Sequence, residues 1–506
     1  MRELLKKLKI DYLLVNSTNE YLVEYSELSE NSRYKLTGFS GSTGDALITG
    51  DKTYLFVDGR YHIQAEQEVK RGITVVKLQL GQSQDEEIRK LIDKNKVLGI
   101  VAKKVSQARL ETFKGYNTKL LDFDPINNFT EPHGDKYYKV NTKPRKFRTK
   151  GTILITNLEE VSYLTGYRDF SKDYSSKIWA KLLIKDDDYI LFTDNKACED
   201  YLSQYKKEII VDKNTISAYD YSLIKKPVHK ISEVKKLKSI KTQSEIKSYK
   251  KAFEMTDKAM MGIRDYINSK NNLSEYAIAA RLKEEFALAG AKGLSFKSIV
   301  AINQNSALAH YSKSSKNVKL KDGDLVLIDC GAYFGDGLAT DITRVFVKGE
   351  PSELQKEVYT MVLKAFLKCF NTGNRPLTPT LSRSARELNI SGYQLDKIAH
   401  RVLDDKIDGF KFSHGLGHGI GINVHEAPPA LNQSKIAKTT IEDGMCFTIE
   451  PGLYNPEYFG IRLENSCYKK GGKIYSFAKM GYEGKLINYD LLTKQEKEWL
   501  KGFKIL

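Results

Sequence analysis

The chain has 506 residues, too many for one ordinary hydrophobic core, and with 41% hydrophobic and 29% charged residues its composition is that of a soluble globular protein. No run approaches the ~20 uninterrupted apolar residues of a membrane span. The opening MRELLKKLKIDYLLV has neither the apolar core nor the small-residue cleavage site of a secretory leader, so a cytoplasmic protein without a membrane partner is expected. The net charge of +17 admits a nucleic-acid partner, but about half of the excess lies between Lys225 and Lys251, ten lysines against Glu233 and Glu245. That segment has few aromatics to stack on bases and no reader motif. It is expected to be a solvated linker and helix face, with no nucleic acid bound. The five cysteines, Cys198, Cys330, Cys369, Cys446 and Cys467, are scattered and form no CxxC pair, which fits reduced thiols.

Two stretches in the first half resemble one another. One runs from YLLVNSTNEYL through ALITGDKTYLFVDGRYHIQAEQEV, the other from TILITNLEEVSYL through KLLIKDDDYILFTDNKACEDYL. Each offers an apolar strand ending near an Asn (Asn16, Asn157), then two strands joined by a polar turn. Each closes on an Asp (Asp58, Asp194) before a helix-like stretch, which suggests two copies of one small α/β unit. The polar, basic EPHGDKYYKVNTKPRKFRTKG between them, with Pro132 and Pro144, reads as a connector. After Pro227, a Thr242 to Glu245 capping box opens a helical pattern in TQSEIKSYKKAFEMTDKAMMGIRDYI. Boundaries near 145 and 235 follow, giving segments 1–145, 146–235 and 236–506.

The last segment carries the chemistry. In GDLVLIDCGAYFGDGLATDITRVFV a buried strand, an FGDG turn and a returning strand set Asp329 and Asp341 across a hairpin. Either a cation lies between these like charges, or one caps a turn and the other meets Arg344. In MCFTIEPGLYNPEYFGIRLENSCY, Glu450 ends an apolar run and Glu464 stands in a second one, where Arg462 is a candidate partner on the same strand face. Between these blocks lies HGLGHGIGINVH, residues 414–425. His414 and His418 are four apart, as in a helical zinc motif, but the glutamate is missing and each of four glycines would cost a helix roughly 1 kcal/mol. A loop or short strand where backbones approach closely fits better. Two aspartates, two glutamates and at least one histidine, with no thiolate in matching spacing, suit hard or borderline ions such as Mn²⁺, Co²⁺, Fe²⁺ or Zn²⁺. Four carboxylates exceed the needs of one ion, so a dinuclear hydrolase is the chemical reading.

The order HY, D…DITR, HGxGHGxG…VHE, TIEPGLY, GIRLEN resembles the metallopeptidases of the pita-bread fold, which include methionine aminopeptidase, prolidase and aminopeptidase P. GFSGSTGDALI and YLFVDGRYHIQA resemble the first domain of the three-domain aminopeptidases P. The resemblance implies an α/β (α+β) chain: two creatinase-like N-terminal α/β domains followed by a C-terminal pita-bread catalytic domain. It implies cleavage of an N-terminal residue that precedes proline, by water or hydroxide bridging two divalent ions, commonly Mn²⁺, in a homodimer. The family's metal ligands fall on Asp329, Asp341, His418, Glu450 and Glu464. Asp329 would hold one ion, His418 and Glu450 the other, and Asp341 and Glu464 would bridge, with Glu450 also taking the proton of the water. His310 and His425 match histidines that stabilise the oxyanion and pass a proton to the leaving nitrogen. His414 matches a position near the substrate, and Arg462 would orient a carboxylate. Two features depart from the family: Asp329 and Asp341 are twelve apart rather than eleven, and NTGNRPLTPTLSRSARELNIS is longer than its counterpart. Prolidase activity on dipeptides, and a non-catalytic peptide- or nucleic-acid-binding relative, are the competing readings.

Overall fold

The computed structural model describes the whole chain except residues 80, 131–135, 143–144, 146, 187 and 373–389. Pro132, Pro144 and most of the long segment before Gly392 therefore lie outside the described residues. The rest divides into two compact units, one of Met1–Tyr137, Lys146–Asp169 and Lys177–Val234, the other of Tyr138–Arg145, Phe170–Ser176 and Lys235–Leu506. Among the described residues no helix is long and apolar enough to cross a membrane, and all five cysteines are free and buried.

The first unit holds two sheets of one design. In the first, β1 (Tyr12–Val15) pairs antiparallel with β2 (Ala46–Ile48), which turns back into β3 (Thr53–Val57). On its other side β1 pairs parallel with β5 (Leu98–Val101), and β5 with β6 (Thr118–Leu121). An extra edge strand, β4 (Ile73–Lys77), lies parallel to β3. The second sheet repeats the pattern with β7 (Thr152–Ile155) in the centre. It pairs antiparallel with β8 (Lys181–Lys185), which returns as β9 (Asp188–Phe192), and parallel with β10 (Ile209–Val211) followed by β11 (Pro227–His229). Identical strand order and direction in both sheets explain the sequence likeness of the two stretches. The polar residues at the joints have specific tasks: Asn157 and Asp194 accept N-terminal N–H groups of the helices Leu158–Thr165 and Asn195–Gln204. Asp58 differs, because its carboxylate bonds Arg60 instead of capping the helix His62–Glu68.

In the second unit the 27-residue helix α1 (Gln243–Ser269) starts at the expected Thr242–Glu245 capping box and packs on α2 (Glu275–Leu288). Three strands, β12 (Ile299–Ile302), β13 (Leu325–Cys330) and β14 (Ile342–Val347), form one antiparallel sheet; β17 (Cys446–Ile449), β20 (Asn465–Lys470) and β21 (Lys473–Ser476) form another. β15 (Gly417–His418) with β16 (Ala430–Leu431), and β18 (Gly452–Tyr454) with β19 (Gly460–Arg462), form short antiparallel pairs. The helix α3 (Glu353–Thr372) presents Val358, Val362, Leu363 and Phe366 to one core with Leu325, Leu327, Val345, Phe447, Ile449, Ile461 and Leu463. Each such side chain stabilises the fold by about 1.5–3 kcal/mol on burial. Alternation on β13 places Asp329 on the face of Leu325 and Leu327, so the apolar layer runs out into a carboxylate.

The lysine-rich segment departs from the expectation of a wholly solvated face. Lys238 and Lys241 are buried, and their ammonium groups stand 3.2 and 3.1 Å from the equally buried Glu426. A lysine run reads as surface because charge is costly to bury; here a carboxylate far along the chain makes burial tolerable.

Candidate metal centre

The site is assembled at strand ends. The β13–β14 ladder runs unbroken from Leu325↔Val347 to Cys330↔Ile342, with Asp329 opposite Thr343 and Asp341 one residue before β14. The twelve-residue spacing is absorbed between the strands, where a turn closes from Phe334 to Gly337, so neither aspartate is rotated out of register. Glu450 follows β17, and its N–H donates to Leu416 O at 2.8 Å; Glu464 lies between β19 and β20, and its N–H reaches Thr343 O at 3.2 Å.

Asp341, His418 and Glu464 converge, each offering one ligand atom, all within 4.8 Å of one another. His418 Nε2 is 3.5 Å from Asp341 and 3.4 Å from Glu450. Its Nδ1 lies 3.1 Å from the Gly419 carbonyl, so the Nδ1–H tautomer leaves the Nε2 lone pair facing the carboxylates. The glycines around it are required by close approach: a Cβ on Gly417 would come 2.2 Å from Thr448 O, and one on Gly419 2.2 Å from Glu426 O. His425 meets His418 edge to face, ring centroids 4.4 Å apart.

Arg462 is buried and spans three partners. It donates to Asp329 Oδ2 at 2.6 Å, to the Tyr454 hydroxyl at 2.9 Å and to Thr343 Oγ1 at 3.2 Å. Its ion-pair partner is therefore Asp329 and not Glu464, two residues away, because the β18–β19 pair points the guanidinium back across the site. Arg344 likewise meets neither aspartate. It donates to the carbonyls of Thr343, Glu464, Met480 and Gly481 and to Asn465 Oδ1, tying the strand ends together from behind. His414 has Nδ1 2.8 Å from Gly415 O and Nε2 2.7 Å from the Tyr454 hydroxyl, so a chain of bonds runs His414–Tyr454–Arg462–Asp329. His310 is half-buried in the turn after the 3₁₀ segment Asn303–Ala307, which is bonded to Gly460 of Arg462's strand.

The electrostatics are unbalanced in favour of negative charge. Burial, then repulsion from Asp329 and Glu450, pushes the Asp341 carboxyl well above its usual range. Glu464 is pushed well up by burial and then by Asp341, Glu450 and Asp329. Glu450 is also raised by burial, against which His418 and Arg462 work. Asp329 Oδ1 and Glu464 Oε1 are buried and lack hydrogen-bond partners. Buried carboxylate oxygens left bare in a cluster of four acids suit divalent cations, and the oxygen-rich set with one imidazole suits hard or borderline ions.

The sequence did not single out Tyr454 or Glu426. TIEPGLY contains the first, but its bond to His414 spans 40 residues. VHE contains the second, and only its position beside His425 hinted at a role. Burial and Lys238 and Lys241 act on it in opposite senses, and the lysines prevail: its pKa is lowered to about 2.

Residues 247–469 match the model of metallopeptidase family M24, and residues 1–128 match that of the creatinase/prolidase N-terminal domain. It is similar along its length to a probable Xaa-Pro aminopeptidase P of Coprinopsis cinerea, 29% identical over 99% of this chain and 93% of that one. It is also similar to Xaa-Pro aminopeptidase 1 of Dictyostelium discoideum, 26% identical over 99% and 91%. The crystal structure of an X-prolyl aminopeptidase from Caenorhabditis elegans, a cytosolic enzyme with a di-nuclear active site, shares the fold with a TM-score of 0.86 at 21% identity, covering 97% of this chain and 90% of that one. The creatinase-type domain followed by a pita-bread domain is thus the fold of this chain.

Proposed function

We propose that the protein is a metal-dependent aminopeptidase that releases the first residue of peptides with proline in second position. The observation that carries the reading is the convergence of Asp341, His418 and Glu464, beside Glu450 and Asp329, with two carboxylate oxygens left bare, in a chain similar along its length to Xaa-Pro aminopeptidases. Asp329, His418 and Glu450 would hold two divalent ions, with Asp341 and Glu464 shared between them; Mn²⁺ is the ion we favour. When bound, such ions acidify water and polarise a peptide carbonyl.

The chain's own residues supply the rest. Glu450, whose pKa is raised by burial and which lies 3.4 Å from His418, is placed to take a proton from water. His425, against the His418 ring, and His310 are the residues that would steady the oxyanion and protonate the proline nitrogen. His414 has both ring nitrogens engaged, which favours a positioning role beside the substrate over proton transfer. Arg462 fixes the orientation of Asp329. We further propose a cytoplasmic homodimer with the division 1–145, 146–235 and 236–506, the first two segments supported by their repeated sheet topology.

Incubating Mn²⁺-loaded protein with Arg-Pro-Pro, Gly-Pro and Met-Ala-Ser tests the reading. Release of Arg from the first is expected. Cleavage of Gly-Pro alone would make the protein a prolidase, release of Met a methionine aminopeptidase, and no release from any peptide would leave a binding protein.

A further inference from the structure

Glu275, in the first turn of α2, has no exposed surface and, among the described residues, no cation paired with it. Burying a lone carboxylate is costly, and here four donors and the helix N-terminus offset that cost. One oxygen accepts from Ile302 N–H at 2.8 Å and Asn305 Nδ2 at 2.9 Å; the other accepts from the Tyr311 hydroxyl at 2.7 Å and Ser315 N–H at 2.8 Å. These are charge-assisted lengths. The donors bracket His310: two precede it, Tyr311 follows it directly, and Ser315 closes the downstream arm. Asn305 also donates to the Tyr311 hydroxyl at 3.1 Å, joining the two arms to each other. Ser306 and Gly460 exchange two bonds of 2.8 Å, so the loop is fixed to β19 as well.

We infer that Glu275 is a positioning residue for the hydrolytic reaction: one carboxylate clamps both arms of the loop and so sets where the His310 imidazole stands. The inference rests on the role proposed for His310. The clamp requires a carboxylate. A glutamine of the same size offers one acceptor oxygen, and its NH₂ would face two donors.

The test is a double-substitution cycle on Mn²⁺-loaded full-length protein with Arg-Pro-Pro: wild type, Glu275→Gln, His310→Ala and the pair, with bound metal measured for each. His310→Ala is expected to lower kcat by ~10²–10⁴-fold, the usual share of a general acid or base. Glu275→Gln is expected to lower kcat by about 10–100-fold, the cost of a misplaced group, with KM and metal content unchanged. In the His310→Ala background it should cost nothing further. Tyr311→Phe, which removes one of the four donors, should lower kcat in the same way but less, and it carries the same cycle if Glu275→Gln does not fold. Losses that multiply in the double variant, a wild-type kcat for Glu275→Gln, or a fall in metal content that tracks kcat would each overturn the clamp. A wild-type kcat for His310→Ala would instead remove the role of His310, and the inference with it.

Discussion

Glu426 and Glu464 are both buried glutamates of the second unit, and their surroundings drive them in opposite directions. Glu426 has Lys238 and Lys241 at 3.2 and 3.1 Å and accepts from the N–H groups of Ile422 and Asn423, which together outweigh burial and hold its pKa at about 2. Glu464 shares its surroundings with Asp341, Glu450 and Asp329, and of the groups acting on it only Arg462 opposes their repulsion. The first group is neutralised by the protein itself. The second is surrounded by other acids, and the bare oxygens of Asp329 and Glu464 are suited to divalent cations. The fold that buries two lysines against one acid sets four acids around one arginine and one imidazole, an excess of negative charge that suits a metal-binding centre.

The largest effect is expected at the shared ligand. Asp341→Asn should lose one or both metal ions while remaining folded, and lower kcat/KM more than ~10³-fold, since metal-supplied charge stabilisation is worth several kcal/mol. Metal analysis and circular dichroism check this, and full metal content with full activity would contradict the ligand assignment.

Next comes a pair of substitutions with opposite signs in chelated protein. Glu426→Gln strands two buried lysines and should destabilise by ~3–5 kcal/mol. Glu464→Gln relieves repulsion and should stabilise by about 1 kcal/mol. Urea unfolding in EDTA reads both; equal signs would dissolve the contrast. The pH dependence follows. Glu426 falls from 4.5 to about 2 on folding, so its ~3 kcal/mol is present above the unfolded value and lost as pH drops from 4.5 through 2. Asp341 and Glu464 are raised, so in metal-free protein their contribution is present below the unfolded value and lost as pH rises through the raised values. Chelated protein should therefore lose stability on both sides, and metal should restore only the higher-pH side.

A smaller effect is expected at Arg462. Lysine keeps the charge but not the fork that joins Asp329, Tyr454 and Thr343, and Arg462→Lys should cost ~10–100-fold in activity or metal affinity. Wild-type kinetics and metal content in that variant would show that charge alone suffices.

The contrast also shows what a sequence discloses. Asp329, Asp341, Glu450 and Glu464 stand out because each interrupts or ends an apolar strand run, a local conflict visible within a few residues. His418 stands out because alternating glycines rule out a helix. The repeat of the first unit is legible for the same reason, as two matched local patterns. Long-range partners are not local: Lys241 meets Glu426 across 185 residues, Arg462 meets Asp329 across 133, and Ser315 meets Glu275 across 40. Proximity in sequence offers Glu464 to Arg462 and an aspartate to Arg344 as alternatives, and neither pair forms. The lysine run reads as solvated because its buried acid is invisible from the run itself.

The four clustered acids are suited to holding divalent cations. Titrating chelated wild-type protein with Mn²⁺ while following bound metal, proton release and melting temperature tests this most directly. Two ions per chain are expected, taken up with release of protons from the raised carboxyls and a rise in melting temperature. Saturation without uptake, or uptake with neither proton release nor stabilisation, would contradict it.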